Sequence, residues 1–157
     1  MEYKISASEA FKKYSDMVYR LAVARVKNKY DADDILQEVF LRFIKHKDKV
    51  NNEEHTKALL IRITINCSKS MLNSSWFKRT EPLNENLSVT DEYSDTLDIV
   101  MRLPQKYRTV IHMHYYMGYS VDEIARILKS KPSTVKSQLH RARQKLKSDL
   151  EGEKVNV

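Results

Sequence analysis

The chain has 157 residues, a formal net charge of +7 and an isoelectric point of about 9.4. This charge favours an anionic partner, either nucleic acid or a membrane surface. Cys67 is its single cysteine, which excludes an intrachain disulfide and fits a reducing compartment. The sequence has neither the apolar run of a signal peptide nor the roughly 18 apolar residues of a membrane span. We therefore expect a soluble, cytoplasmic protein without membrane insertion.

Residues 1–74 predict three amphipathic helices that close one small bundle. Ser6 and Glu9 have the spacing of a capping box, which marks the start of the first helix. Asp31 is expected to cap the second helix, and the third is expected over roughly 55–73. Apolar residues recur at helical spacing along all three. The positions expected to face the core are Ala10, Phe11, Tyr14, Val18, Leu21, Ala22, Val26, Ile35, Leu36, Val39, Phe40, Phe43, Ile44, Leu59, Leu60, Ile63, Cys67 and Met71.

Residues 75–92 are interpreted as an acidic linker. Lys and Arg are absent between Arg79 and Arg102. A change of composition of this kind marks a boundary between domains, although most runs of charge are simply solvated. The acids between Arg79 and Arg102 are Glu81, Glu85, Asp91, Glu92, Asp95 and Asp98.

Residues 93–157 predict a second helical bundle. Pro104 suits the first turn of a helix that stops before Gly118. Ser120 and Glu123 form a second capping box, at the start of a short helix over 121–128. The last helix is expected over about 132–150. The positions expected to face the core are Tyr107, Val110, Ile111, His114 and Tyr115 in the first of these helices, and Val135, Leu139, Ala142 and Leu146 in the last.

A tight turn at Lys129–Lys131 separates the short helix from the last one. The backbone near Lys129 is expected to be left-handed, a conformation in which Gly would cost less. A short helix, a sharp turn and a basic second helix together are typical of a helix-turn-helix. We therefore predict an all-α fold of two small helical bundles, with a helix-turn-helix in the C-terminal one.

The polar face of the last helix supplies candidate DNA contacts. From Ile124 to Ser148 the chain has no acidic residue. Ser and Thr hydroxyls can bond to phosphates or base edges, Arg can bond to guanine in pairs, and backbone N–H groups at the helix start suit a phosphate. The alternative is an ordinary bundle with a solvated basic face. The residues predicted to contact DNA are Ser133, Thr134, Lys136, Ser137, His140, Arg141 and Arg143.

Two sets of motifs resemble conserved regions of the sigma-70 superfamily of transcription factors. In the C-terminal half these are Leu103–Ile111 (LPQKYRTVI) and Thr134–Leu146 (TVKSQLHRARQKL). In the N-terminal half, Asp31–Phe40 (DADDILQEVF) resembles the region that docks on RNA polymerase, and Leu60–Asn66 (LIRITIN) resembles the helix that opens and reads the −10 element. The size and order of the regions resemble the extracytoplasmic function (ECF) group. The family often has Trp, Asp and Arg where this chain has Leu59, Ser70 and Asn73.

The resemblance implies a promoter-specificity subunit of RNA polymerase. The last helix would dock in the −35 major groove, and the third would hold the melted −10 strand, with an extruded base in the loop over 48–55. The acidic linker would follow the RNA exit path, and an anti-sigma factor would mask the polymerase-binding surface. The residues implied for −10 binding are Lys57, Arg62, Asn66, Lys69 and Asn73. Those implied for binding the polymerase core are Asp33, Asp34, Gln37, Glu38 and Arg42.

Other classes of function explain less of the sequence. A stand-alone helix-turn-helix regulator of the response-regulator type would leave the third helix unexplained, and a lipid-binding protein would not need the Ser and Thr of the last helix. His112 and His114 are a possible metal pair, but residues two apart on a helix point in different directions and no third ligand has suitable spacing. We therefore expect no enzymatic activity, no cofactor, no metal and no small-molecule substrate.

Overall fold

A computed structural model describes residues 2–73 and 99–155, with side chains as far as residue 151. All regular structure in these ranges is helical and they contain no strand, which confirms the predicted all-α fold. The chain divides into two compact units, and each is described by itself. The predicted linker over 75–92 lies outside the described residues, so the predicted domain limits stay predictions.

Three helices form the N-terminal unit, and each packs against the other two. They are α1 (Ala7–Val26), α2 (Lys29–His46) and α3 (Glu53–Leu72), with a short 3-10 turn at Lys47–Lys49 between the last two. Each helix begins at a side-chain cap. The cap of α1 is Ser6, as predicted, because its hydroxyl oxygen accepts a bond from the Glu9 amide at 3.1 Å. Asn52 caps α3 through the amide of His55.

The prediction that Asp31 caps α2 is wrong. The cap is Asn28, whose side-chain oxygen accepts bonds from the backbone amides of Tyr30 at 2.8 Å and Asp31 at 3.2 Å. Asp31 therefore lies inside the first helical turn and is only 2% exposed. Burial, followed by the nearby charge of Asp34, raises the pKa of its carboxyl group.

The core of the N-terminal unit follows most of the predicted stripes. Leu36, Leu59 and Met71 are half-buried against it, and two predicted positions are exposed. Phe11 and Ile44 are each 46% exposed. Phe11 still makes an edge contact with Phe40, with ring centroids 5.0 Å apart. The buried cluster consists of Ala10, Tyr14, Val18, Ala22, Val26, Ala32, Ile35, Val39, Phe40, Phe43, Val50, Leu60, Ile63 and Cys67.

A polar network at the edge of this core joins α1 to the first turn of α3. The Tyr14 hydroxyl donates to Glu53 Oε1 at 3.2 Å, and the same oxygen lies 2.9 Å from Lys13 Nζ. Burial, followed by the Glu53 charge, raises the pKa of Tyr14 to about 12. The Lys13 ammonium lowers the pKa of Glu53 by its hydrogen bond and its charge. The network therefore fixes the start of α3 relative to α1.

The C-terminal unit is built around a helix-turn-helix. Its elements are a helical segment at 99–101, α4 (Gln105–Ile111), a π-helical turn (His112–Tyr116), α5 (Val121–Leu128) and α6 (Pro132–Val155). Pro104 stands one position earlier than predicted, at the cap of α4. Gly118 has the positive φ of +77° that a helix stop requires, as predicted. The α6 helix packs on both α4 and α5.

The π-helical turn corrects the predicted apolar stripe. A π-helical turn contains an additional residue, so side chains beyond it rotate relative to an α-helical register. Met113 becomes fully buried, while His114 is half-buried and Tyr115 is 56% exposed. The prediction for Tyr115 is therefore wrong, and His114 is only partly buried. Leu146 in α6 is also only half-buried.

Candidate nucleic-acid interface

The capping box predicted at Ser120 and Glu123 fixes the start of α5. The Glu123 amide donates to the Ser120 hydroxyl oxygen at 3.2 Å, and the Ser120 amide donates to Glu123 Oε1 at 3.1 Å. The second bond lowers the pKa of Glu123 because it favours the charged carboxylate. A short helix with both ends defined can hold α6 at a fixed angle.

The turn between α5 and α6 is closed by backbone hydrogen bonds. Lys129 has the left-handed conformation that the sequence predicted, with φ 54° and ψ 47°. The Ser130 amide donates to the Ala125 carbonyl at 2.9 Å, which ends α5. The carbonyl of Lys131 then accepts from the amide of Thr134 at 3.0 Å, and α6 begins at Pro132.

The α6 helix separates its core residues from its polar residues. Val135, Leu139 and Ala142 are buried at helical spacing. All residues predicted to contact the −35 DNA are exposed, and they occupy the remaining circumference of the helix: Ser133, Thr134, Lys136, Ser137, His140, Arg141 and Arg143. The arrangement can present hydroxyls and guanidinium groups to a groove without a change in the core.

Arg143 differs from the other members of this face because it has a partner in the protein. Its Nε donates to the Tyr115 hydroxyl at 2.6 Å, and its guanidinium carbon lies 5.6 Å from the centre of the Tyr115 ring. Tyr115 was assigned to the core from sequence, so this contact was missed. The contact depends on the π-helical turn that exposes Tyr115, and the amphipathic pattern of the sequence does not reveal this turn.

The α3 helix brings together four of the five residues implied for −10 binding. Arg62, Asn66, Lys69 and Asn73 are spaced by four, three and four residues, which places them along one side of the helix. Arg62 is half-buried and the other three are exposed. Lys57 precedes Arg62 by five residues and therefore lies on a different side.

The loop before α3 is held by its own polar groups. Val50 is buried in the N-terminal core. The Asn51 amide donates to His55 Nδ1 at 3.3 Å, and the Thr56 hydroxyl donates to the Asn52 carbonyl at 2.9 Å. The side chain of Asn52 caps α3. The side chain of Asn51 is exposed at the entrance to this helix.

The α2 helix presents the predicted acidic face. Asp34, Gln37 and Glu38 are exposed, while Asp33 and Arg42 are half-buried. Arg42 Nε lies 2.9 Å from Glu38 Oε1, and this hydrogen bond raises the pKa of Arg42. Leu41 was not predicted as part of this face, although it is 59% exposed beside these polar groups. A leucine out of register with the buried stripe of α2 is the signal that identifies it.

The two histidines considered as a metal pair make other contacts. His112 stacks on Tyr116 with ring centroids 5.4 Å apart, and His114 Nδ1 is 2.8 Å from the Tyr119 carbonyl oxygen. Within residues 2–73 and 99–151, no three His, Cys, Asp or Glu side chains are grouped so as to hold a metal ion. Over the same part of the chain, no helix has the length and apolarity to cross a membrane.

Comparison with known proteins agrees with this arrangement. A family model described as Sigma-70 region 2 matches residues 10–78, and one described as Sigma-70, region 4 matches residues 95–146. The RNA polymerase sigma factor SigV of Bacillus subtilis is 30% identical over 132 residues, covering 79% of this chain and 78% of SigV. The chain therefore belongs to the sigma-70 superfamily of RNA polymerase sigma factors.

The group within the superfamily follows from other relatives. The ECF RNA polymerase sigma factor SigW of Bacillus subtilis is 29% identical over 158 residues, covering 87% of this chain and 84% of SigW. The chain is thus an ECF sigma factor. The solved structure of the sigma factor RpoE in complex with the anti-sigma factor NepR, from Bartonella quintana, has a similar fold, with a TM-score of 0.71 and 17% identity. The superimposed region covers 92% of this chain and 96% of the RpoE chain.

Proposed function

We propose that this sigma factor directs the RNA polymerase core to promoters through three separate faces, one each on α2, α3 and α6. The observation that carries the proposal is the division of α6. The core residues of α6 are buried at helical spacing, and every α6 residue predicted to contact DNA is exposed. A stable scaffold and a variable reading face are what a promoter-specificity subunit needs.

The α6 face is proposed to enter the major groove of the −35 element. Ser133 and Thr134 lie in its first turn, where the positive end of the helix dipole attracts a phosphate. Lys136 and Arg141 add positive charge farther along. The α6 contacts combine phosphate binding, which fixes register, with base-edge contacts, which supply sequence preference.

The α3 side formed by Arg62, Asn66, Lys69 and Asn73 is proposed to hold the melted −10 strand. Its two cations neutralise backbone phosphates, and its amides can bond to the edges of exposed bases. Asn51, exposed at the entrance to α3, is proposed to contact a base extruded from the duplex. Melting on this surface is capture of the open strand, so no covalent chemistry is involved. We accordingly propose that the protein is not an enzyme and uses neither cofactor nor small-molecule substrate.

The α2 face is proposed to bind the polymerase core. Asp34, Gln37 and Glu38 would meet a surface of complementary charge, which speeds association and fixes register. Leu41 adds an apolar contact in the middle of this polar group, an arrangement common at the centre of interfaces. We propose that an anti-sigma factor masks such surfaces in this cytoplasmic protein, as one is bound to the RpoE that shares its fold.

A reconstituted transcription assay tests the proposal. The purified chain is added to bacterial core RNA polymerase with a pool of promoter fragments, and the transcription starts are sequenced. We expect discrete starts that depend on the chain and that are lost when Asp34→Lys and Gln37→Lys are combined. Asp16→Lys, an acid reversal at an exposed position of α1, is the matched control and should retain them.

A different result would favour another class of protein. If the chain neither bound the core nor produced starts, but bound promoter duplex tightly by itself, the sigma function would be refuted. A stand-alone helix-turn-helix regulator of the response-regulator type would then replace it.

A further inference from the structure

Arg143 and Tyr115 form a contact between two elements of the C-terminal unit. Arg143 Nε donates to the Tyr115 hydroxyl at 2.6 Å, and the guanidinium carbon is 5.6 Å from the ring centre. An arginine on an exposed helix face ordinarily samples many rotamers, and each immobilised long side chain costs conformational entropy. The contact therefore selects one orientation of Arg143 before any ligand is present.

The position of Tyr115 is set by the turn that carries it. Met113 anchors the π-helical turn in the core. His114 contacts the Tyr115 ring edge-on, with centroids 4.9 Å apart, and is itself bonded to the Tyr119 carbonyl oxygen at 2.8 Å. The phenol is thus an exposed group on a fixed support, which is what a positioning residue requires.

We propose that Tyr115 is a positioning residue for promoter binding, which orients the Arg143 guanidinium so that its terminal nitrogens bind a DNA phosphate. This inference rests on the proposed function of α6. A guanidinium has five N–H donors, and the phenol uses only the one on Nε. Arg143 follows Lys136 by seven residues, about two helical turns, so both cations lie on the same flank of α6. Preorganised phosphate contacts of this kind bind more tightly because less entropy is lost on binding.

A double-mutant cycle on the polymerase holoenzyme tests the inference. A promoter is first selected from random duplexes with the unsubstituted holoenzyme, and its Kd is measured for Tyr115→Phe, Arg143→Ala and the double variant. Tyr115→Phe keeps the ring and removes the acceptor. We expect it to weaken binding by about three- to tenfold, the factor that immobilising one side chain represents. In the Arg143→Ala background the same change should have no further effect. Tyr116→Phe, on the same turn, is the matched control and should leave Kd unchanged.

A spectroscopic measurement separates positioning from a general effect on stability. In the full chain without DNA, the Arg143 Nε–H resonance should be shifted and protected from exchange, and Tyr115→Phe should abolish both. The midpoint of thermal unfolding should not change. An Arg143 signal unaffected by Tyr115→Phe would contradict the proposed orientation.

The outcomes also distinguish this inference from the function on which it rests. If Arg141→Ala weakened promoter binding while Tyr115→Phe did not, or if Tyr115→Phe weakened it equally with and without Arg143, the positioning role would be refuted and the function would stand. If the holoenzyme selected no promoter, both would be refuted.

Discussion

The two helices proposed to bind DNA are constructed in different ways. Most of the circumference of α3 is buried. Two of its buried hydroxyls donate to carbonyls of the same helix: Thr64 to Leu60 at 2.7 Å, and Ser68 to Ile65 at 2.7 Å. In α6, by contrast, only Val135, Leu139 and Ala142 are buried along the described length.

The difference separates two ways of placing function on a helix. In α3, the side proposed to face DNA is narrow and its neighbours form the core, so stability and the proposed binding depend on adjacent residues. In α6, the face proposed to bind DNA is wide and consists of exposed residues. We therefore expect that promoter preference can change through α6 at little cost in stability, whereas changes in α3 are constrained by packing.

The largest expected effect tests whether α3 is a core helix. Leu60 is fully buried, so Leu60→Ala should lower the free energy of unfolding by about 2–5 kcal/mol, because it removes apolar contacts and leaves a cavity. Urea denaturation followed by circular dichroism measures this loss. Asn66→Ala, exposed on the same helix, should stay within about 0.5 kcal/mol of the unsubstituted protein. A loss below about 1 kcal/mol for Leu60→Ala would remove the contrast between the helices.

The next effect tests the independence of the α6 face. Arg141→Ala should weaken promoter binding by about 1–3 kcal/mol, the range for a base-contacting arginine, and change stability by no more than about 0.5 kcal/mol. Holoenzyme binding to promoter duplex and thermal unfolding are the two measurements. Lys147→Ala, outside the predicted contacts, serves as the control. Equal losses of stability and binding for Arg141→Ala would show that the face and the core of α6 are coupled.

A smaller effect concerns how each helix begins. The α3 helix starts at the Asn52 cap, whereas α6 follows a left-handed lysine. Lys129→Gly should stabilise the C-terminal unit by up to about 1 kcal/mol because Gly adopts positive φ without a Cβ penalty. Gly118→Ala should destabilise it by about 1–2 kcal/mol, since φ is +77° there although no atom lies within 4 Å of an added Cβ. Effects of the same sign in thermal unfolding would refute the role of backbone conformation.

The smallest effect compares a hydrogen-bonded carboxylate in each unit. Both Glu53 and Glu123 have a pKa below the ordinary 4.5, the first through the Lys13 hydrogen bond and charge, the second through the Ser120 backbone amide. A lowered folded-state pKa adds stability that is present above 4.5 and is lost as the pH falls through the folded value. Glu53→Gln and Glu123→Gln should therefore lower the unfolding midpoint at pH 7 and have a smaller effect below pH 4. A larger effect in acid would show that the sign is wrong.

The sequence alone determined the helical class, the helix-turn-helix and the exposure of most of the residues predicted to contact DNA or the polymerase. Helical spacing identified most of the residues buried in the N-terminal core, and capping boxes located the starts of α1 and α5. These features are local, because they depend on residues within about a turn of each other. The exposure of Ser133, Lys136 and Arg141 followed from the same periodicity.

Only the tertiary structure decided the remaining features, because each depends on contacts between residues distant in the chain or on a departure from regular helix geometry. The π-helical turn exposed Tyr115 and placed it against Arg143, which follows it by 28 residues. Asn28 rather than Asp31 capped α2, which placed a carboxylate in the N-terminal core. Lys57 was separated from the other residues proposed for −10 binding, and Leu41 joined the acidic face of α2. Amphipathic periodicity indicates which side of a helix faces inward, but what each side chain meets is set by how the helices pack.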